Sequence, residues 1–371
     1  MAAIDTEQAH RARPGRARAA HERAARLLRS LSERESTRFP FLTVYLDVRP
    51  PADAQEPRSR AARVILTGAL RSFDALLPAH GPERNSFTDD VRRIEELVAS
   101  AEAADGERGI AAFACGAEGL FESLRTWSPW EQRVEVGAVP VLGPLARFVS
   151  HEPAIVALAD TNSLRLFAFQ PGRLEELPSI DDEPDDYRRT EAGGWSQARY
   201  QRHVDDHRAG FARRAVAVID RAVRAEQARR VILAGDEVAI PRLRDELATD
   251  VGELVRDVLR LELRASHDEI EAKALPAIER AEAADGRQAA DRLTDAVRGN
   301  GLGAGGREAT RLALEMGEGM ELLLDGSVVA EADVEDLIRL AARTDARITF
   351  VSDHEGLQSM EGVGALLRFR A

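Results

Sequence analysis

The stretch Gly193-Gly194-Trp195-Ser196-Gln197-Ala198-Arg199-Tyr200 decides how this chain is read. Adjacent glycines let a backbone take positive φ and pass close to another molecule. A glutamine shortly after them supplies a neutral amide with both donors and acceptors. Before the glycines lies the acidic run from Asp181 to Asp186, and behind them an arginine-studded helical pattern runs from about Gln197 to Arg224. The combination reads as a polar loop tip aimed at an anionic site. The plainer alternative is a surface turn that feeds a helix. Trp195 at the tip of the loop, between charges of opposite sign, favours a contact surface.

The helix behind the loop is strongly basic. Residues 197–230 hold nine arginines (199, 202, 208, 213, 214, 221, 224, 229 and 230) against four acids, a local charge of +5 in a chain of formal charge −13. The distribution of charge matters more than its sum. A stripe of this kind contacts phosphates, positioning without reading sequence; the alternative is a solvated face. His203 and His207 are four apart and share a helix face, a spacing that can serve zinc. Val204 stands where a metalloprotease helix has glutamate, and no third ligand is evident, so no metal is expected.

Composition narrows the class. The chain has 371 residues and a hydrophobic fraction of 44%, enough for two or three cored domains. Mean hydropathy is −0.31, and no apolar run approaches the ~20 residues of a membrane span. The arginine-rich start lacks an apolar core and a cleavage site, so no signal peptide, no membrane and a cytoplasmic location are expected. A lone cysteine, Cys115, leaves no internal disulfide and no cysteine-based zinc cluster. Gly301 to Gly306 fits G-x-G-x-x-G, but the preceding Arg292–Arg298 reads as helix rather than strand. The expectation there is a flexible loop between two helices, and no cofactor.

Periodicity gives an α/β chain. Residues 1–37 read as a helical extension. Residues 38–150 read as a mixed α/β domain, with a strand at Phe41–Asp47, helices near 59–76 and 88–104, and strands at 109–114, 119–124 and 132–136. Residues 151–284 open with a strand meander at 154–159, 163–169 and 174–177. The glycine loop and long helix follow, then a strand at 230–234, a helix at 239–247, a possible strand at 255–263 and a helix at 267–283. Residues 285–371 alternate helices with strands at 321–324, 347–351 and 364–369, a small α/β/α sandwich.

Three features in this order resemble a known family. They are the meander, Gly-Gly…Gln-Ala-Arg-Tyr opening a helix with Arg202 and Arg208, and the ending Ile348-Thr349-Phe350-Val351-Ser352…Gly362-Val363-Gly364-Ala365-Leu366-Leu367-Arg368-Phe369. Together they resemble the archaeo-eukaryotic peptide release factor family in its bacterial branch, to which Pelota-like and Balon-type hibernation factors are related. The resemblance implies an RNase H-like middle domain with a glycine loop, and a C-terminal domain like the kink-turn-binding ribosomal proteins. It implies action at the ribosomal A site in rescue or hibernation. Its implied partners are rRNA, peptidyl-tRNA and an elongation-factor-type GTPase.

Gly193 and Gly194 would match the family's loop glycines, and Gln197 its catalytic glutamine. Trp195, Arg199, Arg202, His203 and Arg213 are the candidate RNA contacts. Trp195 and Ser196 separate glycines from glutamine, and two extended residues span about 7 Å. That spacing argues against peptidyl-tRNA hydrolysis and leaves docking untouched. No Asn-Ile-Lys-Ser stop-codon motif occurs, which argues against programmed termination. A release factor that cleaves through Gln197, and an RNA-binding adaptor without ribosome activity, are the alternatives.

Overall fold

The computed structural model describes residues 16–49, 67–68, 80–100, 107–181, 195–329 and 331–369. It is an α/β chain with three sheets. The chain divides into two compact units, one of Met1–His21 with Glu152–Glu282, the other of Glu22–His151 with Ala283–Ala371.

The chain enters through helix α1 (Arg16–Ser32), whose residues from Glu22 onward count with the second unit. Strand β1 (Phe41–Asp47), helix α2 (Pro82–Ser100), strands β2 (Gly109–Cys115), β3 (Leu120–Thr126) and β4 (Arg133–Gly137), and helix α3 (Gly143–Ser150) follow. The strands form an antiparallel sheet in the order β3-β2-β1-β4. β1 is apolar on both faces because both are covered. Leu42, Val44 and Leu46 meet Phe87, Ile94 and Val98 of α2 on one side, and Phe41 and Tyr45 join a second core on the other. The expected helix near 59–76 falls almost wholly outside the described residues.

Helix α3 forms with a proline near its start. Pro144 sits in the first turn, where a missing N–H leaves no intrahelical bond unmade. The start of α3 is capped from a distance: the Glu335 carboxylate accepts from Leu142 N at 2.7 Å and Gly143 N at 2.8 Å.

The first unit is built on strands β5 (Ala154–Ala159), β6 (Ser163–Gln170), β7 (Arg173–Asp181), β8 (Arg230–Gly235) and β9 (Val255–Arg260). Their order is β7-β6-β5-β8-β9; β5, β6 and β7 form an antiparallel meander, and β8 and β9 run parallel to β5. β5 and β8 are buried throughout, as their continuous apolar runs require when both faces are covered. Helix α4 (Trp195–Glu226) lays Phe211, Ala215, Ile219 and Val223 on one face, with α5 (Ala239–Glu246) and the short α6 (Thr249–Gly252) beside it. Helix α7 (His267–Arg298) lays Ile270, Ala274, Ala277 and Ile278 on the other. Gly235 ends β8 at φ 145°, where a Cβ would run into the Ala159 carbonyl oxygen, so only glycine closes this strand end.

Helix α7 is longer than expected. It runs unbroken through 284/285, the boundary read from sequence, and the two units divide inside it at Glu282/Ala283. Gly286 is helical and buried, with the Phe350 carbonyl 3.5 Å from where its Cβ would stand.

The third sheet joins β10 (Gly303–Gly305), β11 (Gly319–Leu324), β12 (Arg347–Phe350) and β13 (Val363–Leu367) in the order β10-β13-β11-β12. Helices α8 (Arg307–Glu315), α9 (Glu331–Arg343) and α10 (Glu355–Gln358) accompany it. Leu322 and Leu324 face Leu337 and Ile338 of α9, while Leu323 faces Ala289 and Leu293 of α7, so the sheet lies between helical layers. The glycine run expected as a flexible loop is in part a strand, with Gly303 to Gly305 pairing β13. Its glycines serve contact: a Cβ at Gly303 would press on Ala296 and Val297, and one at Gly305 on Met360. A strand that follows a helix and carries glycines for packing does not make a dinucleotide cradle.

Candidate nucleic-acid interface

Helix α4 has 32 residues, so it is about 48 Å long at 1.5 Å per residue. Its inward positions are spaced three and four apart through Phe211, Ala215, Ile219, Ala222 and Glu226, which keeps one side on the sheet. Arg213, Arg214, Ala217, Arg221 and Arg224 fall on the opposite, exposed side. The first turn holds no acidic residue of its own to offset the positive end of the helix dipole.

Gly193 and Gly194 lie outside the described residues. Trp195, Ser196 and Gln197 are not loop: they form the first turn of α4, and Arg199, Arg202 and His203 continue it. This corrects the spacing argument. Two helical residues advance about 3 Å rather than the 7 Å of an extended pair. Gln197 is among the first four residues of the helix, whose N–H groups have no acceptor within the helix. Arg199 and Arg213 are fourteen positions apart, just under four turns, and so occupy one side of the helix.

The structure sorts the arginines that the sequence presents as alike. Arg213 is exposed. Arg224 is held by Asp220, with Nη2 to Oδ1 at 3.0 Å, and by Asp250 at 3.1 Å. Hydrogen bonding to Asp220, with the charge of that carboxylate, raises the Arg224 guanidinium above its ordinary value. Arg221 folds back on its own helix, donating to the Ala217 carbonyl at 3.3 Å. Arg230 is buried at the start of β8 between Glu152 at 3.6 Å and Glu282 at 3.5 Å. The basic face therefore weakens toward the C-terminal end of α4. Asp250, Glu152 and Glu282, which do this, are far from their arginines in sequence, and no local pattern points to them.

The C-terminal end of α4 is closed by the first turn of α1. The Arg18 backbone N–H donates to Glu226 at 3.2 Å and its guanidinium to the Ala225 carbonyl at 3.1 Å. Burial raises the Glu226 carboxyl above the ordinary value, and the hydrogen bond from Arg18 opposes it. His207 is half-buried one turn after His203, and no group of three or more metal-ligating side chains occurs among the described residues. No helix among them is long and apolar enough to cross a membrane.

Residues 140–279 match the model of the bacterial archaeo-eukaryotic release factor family 10. No curated protein matches the chain. Among solved structures it is similar to Archaeoglobus fulgidus Pelota, at 15% identity over 71% of this chain and 79% of that one, with a TM-score of 0.35. It is similar to S. cerevisiae Dom34, a translation termination-like factor that interacts with Hbs1, at 10% identity over 71% and 81%, with a TM-score of 0.43. Archaeal Pelota in a ribosome-bound assembly with ABCE1 is similar at 14% identity over 95% and 94%, with a TM-score of 0.44. The family match takes in the whole five-stranded sheet and the basic helix laid across it, so the central segment of the chain is similar to the bacterial archaeo-eukaryotic release factor family.

Proposed function

We propose that this protein is a cytoplasmic ribosome-associated factor that enters the A site and acts in rescue of stalled ribosomes or in hibernation. The observation that carries the proposal is the basic face of α4, behind a glycine pair, on the segment that matches the release factor family. Arg199, Arg202, His203 and Arg213 contact rRNA or transfer-RNA phosphates, and Trp195 lies near the acceptor end. An elongation-factor-type GTPase delivers the protein. The strand order of the first unit, with its second strand antiparallel to the first, supports an RNase H-like domain over 151–284. The layered third sheet supports a domain over 285–371 like the kink-turn-binding ribosomal proteins, and 38–150 forms the domain before them.

A second reading, peptidyl-tRNA ester hydrolysis through Gln197 with Gly193 and Gly194, draws support from the helical start at Trp195. That start advances Gln197 about 3 Å along the helix from Trp195, where two extended residues would span about 7 Å. The two readings separate on ribosomes that hold peptidyl-tRNA. The expected outcome is salt-sensitive binding with no peptide released. Release that Gln197→Ala abolishes establishes the hydrolytic reading instead. Failure to sediment with ribosomes at low salt overturns both.

A further inference from the structure

The outer side of α8 is an apolar ridge. Thr310, Ala313 and Leu314 point into the third sheet, which leaves Ala309, Leu312 and Met316 facing out. Leu312 is 57% and Met316 55% exposed, high for such side chains. The ridge does not stand alone. The Leu367 N–H bonds to the Leu302 carbonyl at 3.0 Å and the Arg368 N–H to the Glu318 carbonyl at 2.8 Å. Those bonds bring the ends of β10, β11 and β13 together beside the end of α8. Leu302, Met320 and Phe369, also exposed, lie on these three segments.

Charge selects the occupant. Residues 299–371 carry thirteen acids against seven arginines. Arg307 is taken up by Asp333 at 2.6 Å, and Arg311 by Asp336 at 2.7 Å and by Glu315 at 2.9 Å. Exposed Glu308 borders the ridge, as does Glu315, which pairs with Arg311, and the surrounding segment remains net acidic. A second copy would bring the same acids face to face, and an anionic lipid surface would be repelled. We propose that this ridge docks a protein partner presenting an amphipathic helix whose apolar stripe is flanked by lysine or arginine. Leu312 and Met316 are one turn apart and pack against such a stripe helix on helix. Methionine adapts its shape to different apolar surfaces, which suits a docking site. The inference is independent of the ribosomal reading.

The test uses the full chain and two synthetic helical peptides with the same leucine stripe, one flanked by lysine and the other by glutamate. Fluorescence anisotropy should detect binding of the lysine peptide only. The double variant Leu312→Ser, Met316→Ser should weaken it by about tenfold or more, the loss of two interface anchors. Both positions are exposed, so thermal unfolding should be unchanged. If it is not, Met316→Lys alone repels the lysine peptide at the end of α8 and gives the same answer. No binding, equal binding of both peptides, or equal binding to the variants overturns the proposal. So does a dimer, or flotation with anionic vesicles, that the substitutions abolish.

Discussion

Arg213, Arg224 and Arg230 look interchangeable in the sequence, and the structure gives them three different fates. Arg213 is exposed on the outer side of α4, Arg224 is paired with Asp220 and Asp250, and Arg230 is buried between Glu152 and Glu282. The local count of +5 thus overstates the charge available to phosphate. Each phosphate contact contributes close to one unit to the salt dependence of binding. Arg213→Ala is expected to weaken ribosome binding and lower the slope of log affinity against log salt by about 1, and Arg224→Ala to change that slope by less. Sedimentation over a salt series checks both. Equal slopes for the two variants would show that the ion pairs of Arg224 open on binding.

At the scale of elements, much of the fold was legible because the patterns were unambiguous. The runs at Ala154–Ala159 and Arg230–Gly235 are too short and too apolar for anything but fully covered strands. Glycine and proline are where local pattern and structure part, as at Gly301 to Gly306, which read as a loop. Pro144 opens α3, Gly286 continues α7, and Gly303 to Gly305 form β10, each allowed by a neighbour invisible in local sequence. The start of α4 was misplaced for a related reason. A glycine pair marks where a helix can begin but not whether the next residues join it.

Glu226, at the far end of α4, makes a pH prediction. Its carboxyl is raised above the 4.5 of an ordinary glutamate, chiefly by burial. Between that value and the raised one, the folded chain keeps a proton the unfolded chain has lost, so stability falls as pH rises through the window. Glu226→Gln keeps an acceptor for the Arg18 N–H and removes the titration. Its Tm relative to wild type should climb with pH through that window and then level off. A constant difference across about pH 4 to 8 would rule out titration of Glu226 as a source of pH dependence.

At the scale of the molecule, the second unit is closed by residues distant in sequence. The buried guanidinium of Arg339 on α9 donates to the carbonyls of Leu31 and Ser32 at the end of α1 and to that of Pro140 at 2.7 Å. Arg343 Nε reaches the Ser32 carbonyl at 2.7 Å. Leu31 and Ser32 lie in the last turn of α1, where carbonyls lack intrahelical donors. Arg339→Met should cost about 2 kcal/mol, chiefly at the Pro140 carbonyl, because Leu31 keeps its bond from Arg34 N and Ser32 its bond from Arg343; Arg339→Lys should recover part of the loss, as read by denaturant unfolding. None of this was legible from the sequence, because an arginine that caps another helix looks like any surface arginine.

The contact between Arg18 and Glu226 spans 208 positions. Chains are synthesised at ~5–20 residues per second, so roughly 10–40 s separate the two ends of this bond during translation. For that interval Ala17 and Arg18 have emerged without the surface they pack on, and a loop of that length must close before α4 gains its C-terminal cap. The nascent chain therefore carries an unfinished amino-terminal turn past the synthesis of strands β1 to β7, and chaperones have access to that turn until α4 is complete.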